Sequence, residues 1–173
     1  MKERGNKQLK LLDKLVGIPL VFALGLLRLK KKLNPLVLKR QDLKIVLMKL
    51  GAIGDTILLT AGIKELRDNF PSAEITLLCS GSNAAITESI AGLDSVIVIR
   101  FSELLSSIRE VNSNGRYDLL FDFGTWPRIN SFISYMIRAD FKVGFKRRKM
   151  FRHYIYDLAI EHSDHVHECE NYL

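Results

Sequence analysis

The chain has 173 residues, of which 47% are hydrophobic and 26% are charged. This composition is ordinary for a globular protein and excludes a wholly disordered chain. The formal net charge of +7 is unevenly spread: residues 1–43 hold eleven Lys and Arg against three Asp and Glu, and the remainder holds fifteen against sixteen. We therefore expect one domain, residues 43–173, preceded by a basic arm, residues 1–42.

The arm contains thirteen uncharged residues from Leu15 to Leu27. As a helix this stretch would span about 20 Å, less than the roughly 30 Å hydrocarbon core of a bilayer. Pro19 and Gly25 weaken a continuous helix further. Cations flank the stretch on both sides: Lys10, Lys14, Arg28, Lys30, Lys31, Lys32, Lys39 and Arg40. An apolar stretch bracketed by cations is typical of a segment that lies in an anionic membrane surface.

Membrane attachment is the favoured interpretation of the arm. The residues expected to contact the membrane are Leu15, Val16, Ile18, Phe22, Arg28, Lys30, Lys31 and Lys32. Two other interpretations stay open: a helix packed on the domain, and a membrane span or secretory signal, which the basic cluster after residue 27 disfavours. We expect no nucleic-acid partner, because no aromatic residues are interleaved with these cations and no nucleic-acid-binding motif is present.

From residue 43 onward, apolar runs of strand length alternate with stretches of helical period. The predicted strands are 43–48, 74–79, 95–100, 117–123 and 141–145, and the predicted helices are 56–69, 83–91, 102–112 and 128–138. Nearly continuous apolar strands that alternate with helices predict a parallel sheet covered on both faces. The predicted fold class is therefore α/β, with a Rossmann-like parallel sheet behind a helical arm.

Two glycines and a carboxylate, Gly51, Gly54 and Asp55, lie between the first predicted strand and the first predicted helix. Glycines at such a crossover let the backbone turn sharply and approach a ligand closely. Their spacing matches neither the G-x-G-x-x-G fingerprint of dinucleotide-binding domains nor the P-loop. Asp55 has two open interpretations, a helix N-cap and a general base beside a substrate hydroxyl.

Three later segments also carry polar residues of possible function. Gly124 and Arg128 lie after the fourth predicted strand, and Arg128 is suited to bind a phosphate or carboxylate, unless this is an ordinary exposed loop. The basic cluster of residues 146–152 is expected to be a solvated loop, with a site for an anionic ligand as the alternative. Residues 161–169 contain possible metal ligands in no familiar spacing, so we predict a polar helix start there and no metal site.

Residues 45–55 read IVLMKLGAIGD, and residues 60–66 and 70–71 read TAGIKEL and FP. This run closely resembles glycosyltransferase family 9, the heptosyltransferases of bacterial lipopolysaccharide synthesis. Looser matches lie in residues 117–124, 139–145 and 165–173, so the resemblance covers residues 43–173. Ala61 stands where members of the family typically carry Pro. This departure leaves the expected fold and the role of Asp55 unchanged and affects only the expected identity of the acceptor.

The resemblance implies the N-terminal, acceptor-binding half of a GT-B enzyme that transfers a sugar from a nucleotide-sugar to a lipopolysaccharide-type acceptor with inversion. It makes Asp55 the catalytic base, and it implies no metal and no other cofactor. The acceptor-binding residues that it implies are Gly51, Gly54, Thr56, Gly124 and Arg128. The expected location is the cytoplasmic face of a bacterial inner membrane.

By the same resemblance, the donor's nucleotide binds mainly to a C-terminal Rossmann domain that residues 1–173 do not include. We therefore expect little transfer by these residues alone, because a preorganised donor site supplies most of the stabilisation of the transition state. The alternative is a non-catalytic, membrane-associated binding module on the same scaffold.

Overall fold

The computed structural model of the protein describes residues 7–173, with all their side chains except those of residues 7–10 and 12. The first six residues of the predicted arm and the side chain of Lys10 lie outside this described part. The α-helices are α1 (Lys7–Leu27), α2 (Ile53–Asn69), α3 (Ala84–Thr87), α4 (Leu104–Ser113), α5 (Ile129–Met136) and α6 (Glu168–Asn171). The strands are β1 (Lys44–Met48), β2 (Glu74–Ser80), β3 (Ser95–Ile99), β4 (Tyr117–Asp122), β5 (Ala139–Lys146) and β6 (Leu158–Glu161).

All six strands form one parallel sheet in the order β3-β2-β1-β4-β5-β6. Met48, at the end of β1, is in register with Leu78 of β2 and Asp122 of β4. The chain runs outward from β1 to β3 and then returns to β4, so the strand order reverses between β1 and β4. Ligands of open α/β sheets bind at the carboxyl ends of the strands at such a reversal. The predicted Rossmann-like parallel sheet is confirmed.

Alternating residues of β1 build the core on the two faces of the sheet. Ile45 and Leu47 are buried in one cluster with Leu59 and Ile63 of α2. Val46 and Met48 are buried in a second cluster, to which Ile108 and Val111 of α4 and Ile133 of α5 belong. Successive side chains of a strand point to opposite faces, so β1 needs apolar residues throughout, which explains its uninterrupted run in the sequence.

Some predicted boundaries differ from those of the structure. Helix α2 begins at Ile53 rather than at residue 56, α3 is one turn instead of the predicted 83–91, and β5 extends from Ala139 to Lys146. Strand β6 was not predicted, because it has only four residues and lies half-exposed at the sheet edge. The polar helix start predicted for residues 161–169 is wrong at its beginning: Glu161 ends β6, and α6 starts at Glu168.

Helix α1 packs against the domain beside α5 and the 3-10 helix Arg152–Tyr154. Val21 is completely buried in a small cluster with Ile155 and Tyr156. A Cβ atom on Gly25 would lie 2.6 Å from the Cβ of Tyr154, so the absence of a side chain permits this close approach. Within the described residues, no helix combines the length and the apolar content needed to cross a lipid bilayer.

Candidate functional site

The chain turns from β1 into α2 through two residues with positive φ. Gly51 has φ +111° and Ala52 has φ +61°. Only glycine adopts the first of these values easily, so Gly51 is required by the backbone itself. Ala52 occupies the N-cap position of α2, and no side chain caps the helix there. The N-cap interpretation of Asp55 is therefore wrong: Asp55 is the third residue of α2, in its first turn.

One buried amide, that of Asn83, holds this turn from the loop that follows the neighbouring strand β2. Its Oδ1 accepts hydrogen bonds from the backbone N–H of Gly51 (3.2 Å) and of Ser80 (2.9 Å). Its Nδ2 donates to the carbonyl of Lys49 (2.9 Å) and to Oγ1 of Thr56 (2.8 Å). Asn83 is 1% exposed, so these bonds lie away from water and fix the conformation of the turn.

The carboxylate of Asp55 is reachable from solvent and is held on one side. Its side chain is 40% exposed, and its Oδ2 lies 2.9 Å from Nζ of Lys49, whose side chain is only 5% exposed. The same ammonium donates to the carbonyl of Phe123 (3.3 Å), at the end of β4, and to the hydroxyl of Tyr172 (2.7 Å). Lys49 therefore brings together the ends of β1 and β4 and the start of α2.

Tyr172 separates this ion pair from an apolar cavity. Its ring stacks edge-on against Phe123 at 5.3 Å between centroids, and burial raises the pKa of its hydroxyl. The cavity, of about 400 Å³, lies on the α2 side of β4, β5 and β6, and Tyr172 lines it while Asp55 does not. Because this phenol stays neutral, Asp55 is the anion that balances the buried ammonium of Lys49.

The remaining residues of the turn have different surroundings. Thr56 is completely buried, and its hydroxyl donates to the carbonyl of Ala52 at 3.0 Å. Gly54 is exposed, and a Cβ there would meet no protein atom within 4 Å. The space beside Gly54 and Asp55 is thus open, whereas Thr56 supports the turn from inside. Ile53 and Ile57, 53% and 47% exposed, lie one turn apart on another face of α2.

Gly124, in the loop after β4, is buried within the protein. Its N–H donates to Oδ1 of Asp122 at 2.8 Å, and its carbonyl accepts a hydrogen bond from Nη1 of Arg152. A Cβ on Gly124 would lie 2.5 Å from Nδ2 of Asn130, so packing explains the glycine. Arg152 is 1% exposed and ion-paired with Asp122 at 2.6 Å. For Arg152, the prediction of a solvated loop over residues 146–152 is therefore wrong.

Arg128 lies at the start of α5, where its guanidinium is enclosed by other parts of the chain. It is 6% exposed and pairs with Asp13 of α1 at 2.5 Å. Its Nε and Nη2 donate to the carbonyls of Met150 (3.0 Å) and Lys149 (2.8 Å). The structure thus places Arg128 between α1 and the loop after β5, while Asp55, Gly51 and Thr56 come together at β1.

Most of the residues predicted to contact a membrane are exposed, but Arg28 forms an ion pair within the protein. Leu15, Val16 and Phe22 are exposed, and Ile18 is half-buried. Arg28 is mostly buried and pairs with Asp157 at 2.5 Å. Lys30, Lys31 and Lys32 follow the helix on the surface. Among the described residues, no group of three or more His, Cys, Asp or Glu side chains is arranged to hold a metal ion.

Sequence reasoning missed Lys49, Asn83 and Tyr172. Lys49 and Tyr172 are 123 residues apart, and Asn83 is 34 residues from the carbonyl that it contacts. A polar residue at the end of an apolar strand was the only signal available for Lys49 and Asn83. The close contact of these residues with Asp55 or its turn depends on the tertiary fold.

Solved structures of known glycosyltransferases share this arrangement of strands and helices. A glycosyl transferase family 9 protein from Veillonella parvula superposes with a TM-score of 0.65 and 24% sequence identity, covering 76% of this chain and 40% of its own. The E. coli heptosyltransferase WaaC, solved with ADP, gives a TM-score of 0.63 and 14% identity, covering 75% of this chain and 45% of its own. The chain has the family 9 glycosyltransferase fold.

A second E. coli enzyme, ADP-heptose lps heptosyltransferase II, shares the family 9 fold at a TM-score of 0.55 and 14% identity, covering 68% of this chain and 34% of its own. The chain spans less than half the length of each of these three proteins. No protein-family model matches the sequence, and no curated protein sequence matches it.

Proposed function

We propose that this chain is the acceptor-binding part of a family 9 glycosyltransferase, which moves a sugar from a nucleotide-sugar onto a lipopolysaccharide-type acceptor. The observation that carries the proposal is the half-exposed carboxylate of Asp55, fixed at the carboxyl edge of the sheet in the family 9 fold. Two structures with this fold are of a heptosyltransferase with ADP and with an ADP-heptose analogue, which supports a nucleotide-sugar as donor.

Asp55 acts as the general base in this proposal. Its free carboxylate oxygen accepts the proton of an acceptor hydroxyl while the hydroxyl oxygen forms a bond to the anomeric carbon of the donor sugar. The bond from that carbon to the nucleotide diphosphate breaks in the same step, so the configuration inverts and the diphosphate leaves as the anion. The proton ends on Asp55, and the negative charge that Asp55 loses appears on the leaving diphosphate.

Lys49 is a positioning residue for this step. Its buried ammonium holds Oδ2 of Asp55, while the Asp55 side chain as a whole stays 40% exposed to solvent. A base that is oriented before the substrate binds needs no rearrangement in the transition state. The bonds of Lys49 to Phe123 and Tyr172 fix the ammonium in turn.

Cations at the same edge of the sheet favour an anionic acceptor. Arg100 follows β3, and Arg148 and Lys149 follow β5, all three exposed. Carboxyl ends of parallel strands meet at one edge, so these side chains lie at the same edge of the sheet as Asp55. Phosphate or carboxylate groups on the acceptor would find their partners there.

The donor site is expected in a second Rossmann domain, because this chain spans only 34% to 45% of the similar solved proteins. We expect acceptor binding by residues 1–173 and efficient transfer only when such a domain is joined to them. A non-catalytic binding module on the same scaffold would bind acceptor without transferring sugar in either form.

The test of the catalytic role is Asp55→Asn in a polypeptide that joins the chain to a donor-binding domain. We expect transfer to a lipopolysaccharide inner-core oligosaccharide to fall by about 10²- to 10⁴-fold, the usual contribution of a general base. The matched control is Asp68→Asn, which changes an exposed carboxylate on the same helix and should leave the rate within about twofold. If both variants kept acceptor binding and lost a similarly small part of the transfer rate, Asp55 would have a structural role and would not be the general base.

A further inference from the structure

Helix α1 meets the domain along one side only. The residues of that side recur at every fourth position: Asp13 pairs with Arg128, Gly17 lies against the same arginine, Val21 is buried and Gly25 lies against Tyr154. Residues four apart share a face of a helix. This spacing therefore defines a docked face of α1 that runs from Asp13 to Gly25.

The opposite face of α1 is apolar and exposed to solvent. Its large side chains are 56% to 88% exposed: Leu11, Leu15, Val16, Leu26 and Leu27. Phe22 lies at the border with the docked face, where its ring packs against Phe151 and Tyr154. The charged residues between Leu11 and Leu27 are Asp13 and Lys14, and Asp13 belongs to the docked face. A helix that lies on a water-soluble domain normally presents polar residues to solvent, and a contiguous apolar surface of this kind marks an interaction site.

Cations precede and follow this exposed apolar face along the chain. Lys14 lies near its start, and Lys30, Lys32 and Lys39 follow its end, all of them exposed. Further exposed leucines, Leu29, Leu36 and Leu38, alternate with these lysines. Apolar residues between lysines complement a surface with a hydrocarbon interior and negative headgroups.

We propose that α1 lies in the plane of an anionic phospholipid bilayer, with its exposed apolar face immersed among the acyl chains and its docked face on the domain. The docking excludes a transmembrane arrangement of this helix, because a helix that crosses a bilayer cannot keep one whole side against a water-soluble domain. The inference depends on the geometry of α1 and holds whether or not the domain transfers sugar.

The test is cosedimentation of the whole chain with vesicles of phosphatidylcholine and phosphatidylglycerol. The variant Leu15→Glu/Leu26→Glu should bind at least about tenfold more weakly, since two buried leucines are lost and two anions added. The matched control is Leu105→Glu/Leu158→Glu, which changes two exposed leucines, 56% and 48% exposed, outside α1. It should bind within about twofold of the unchanged protein. Circular dichroism checks that each variant is folded.

The electrostatic contribution is tested separately with Lys30→Gln/Lys32→Gln/Lys39→Gln. Binding to the anionic vesicles should fall about 100-fold, at roughly tenfold or less for each cation, while binding to pure phosphatidylcholine vesicles should not change. Equal vesicle binding by the unchanged protein and by Leu15→Glu/Leu26→Glu would overturn the proposal. So would a dimer of the unchanged protein in sedimentation equilibrium that Leu15→Glu/Leu26→Glu converts to monomer, because a second copy would then cover this face.

Discussion

Asn83 is the residue on which the shape of the Asp55 turn depends most. Its single amide contacts the backbone N–H of Gly51 and of Ser80, the carbonyl of Lys49 and the hydroxyl of Thr56. Two neighbouring residues of the turn have positive φ. Such a backbone persists only where its surroundings determine it, and Asn83 supplies those surroundings from the start of α3.

The substitution Asn83→Leu should lower the free energy of unfolding by about 3 kcal/mol, because two buried N–H groups lose their acceptor. Urea unfolding followed by circular dichroism measures this change. Asn83→Asp keeps the acceptor oxygen and serves as the conservative comparison, and Asn69→Ala serves as a control on the exposed end of α2. Equal stability of Asn83→Leu and Asn69→Ala would contradict this role.

At the scale of single elements, the last carbonyl groups of α5 accept hydrogen bonds from a side chain of another element. Nζ of Lys142, on the neighbouring strand β5, donates to the carbonyls of Ser134 (2.5 Å), Tyr135 (2.9 Å) and Ile137 (2.7 Å). The last carbonyls of a helix have no partners within the helix. Lys142 is 2% exposed, so its Nζ both caps α5 and lies inside the protein.

The titration of Lys142 gives a prediction for stability against pH. Burial, and then the nearby cation of Arg28, lower the pKa of Lys142 from 10.5 to about 7. At pH values between about 7 and 10.5, Lys142 is protonated in the unfolded chain and has released its proton in the folded chain. The free energy of unfolding should therefore rise with pH in this window, by up to about 1.4 kcal/mol per pH unit from this group.

Urea unfolding at several pH values between 7 and 10, compared with Lys142→Met, isolates this contribution. The rise with pH should be smaller in Lys142→Met, while Lys44→Met, which removes an exposed lysine of β1, should keep it. Parallel pH profiles for the unchanged protein and Lys142→Met would show that the proton is not released on folding.

At the scale of the whole molecule, the arm is part of the folded unit. Val21 and Leu24 cover Ile155 and Tyr156, and Leu33 and Val37 pack against the main core. A chain that begins at residue 43 should lose roughly 5 kcal/mol of stability, since about three apolar side chains no longer bury their surface. A urea midpoint equal to that of the whole chain would instead make the arm an independent appendage.

The control for this truncation is Leu26→Glu in the whole chain. Leu26 is 88% exposed and belongs to the undocked face of α1. Its replacement should leave the midpoint unchanged, because surface substitutions away from packed groups usually alter stability by less than about 0.5 kcal/mol. The comparison separates loss of the docked face from any general effect of altering the arm.

Prediction from the sequence succeeded where short-range pattern decides the structure. The apolar runs of β1 to β5 and the glycine turn before α2 could be recognised because periodicity and turn chemistry act over a few residues. Strand β6 is too short to stand out. Arg152 resembled its neighbours in a basic cluster, and only the fold reveals Asp122, thirty residues earlier, as its partner. Lys49 and Asn83 escaped notice for the same reason.

Arg128 fastens three separate segments with one side chain. Arg128 is the last residue of the loop that follows β4. Its backbone N–H and its guanidinium both donate to Asp13 of α1, and the guanidinium also donates to the carbonyls of Lys149 and Met150 after β5. Both loops lie at the carboxyl edge of the sheet, where Asp55 is also found. The docking of α1 and the conformation of these two loops are therefore coupled through one guanidinium, so a change in the position of the helix would be transmitted to the carboxyl edge of the sheet.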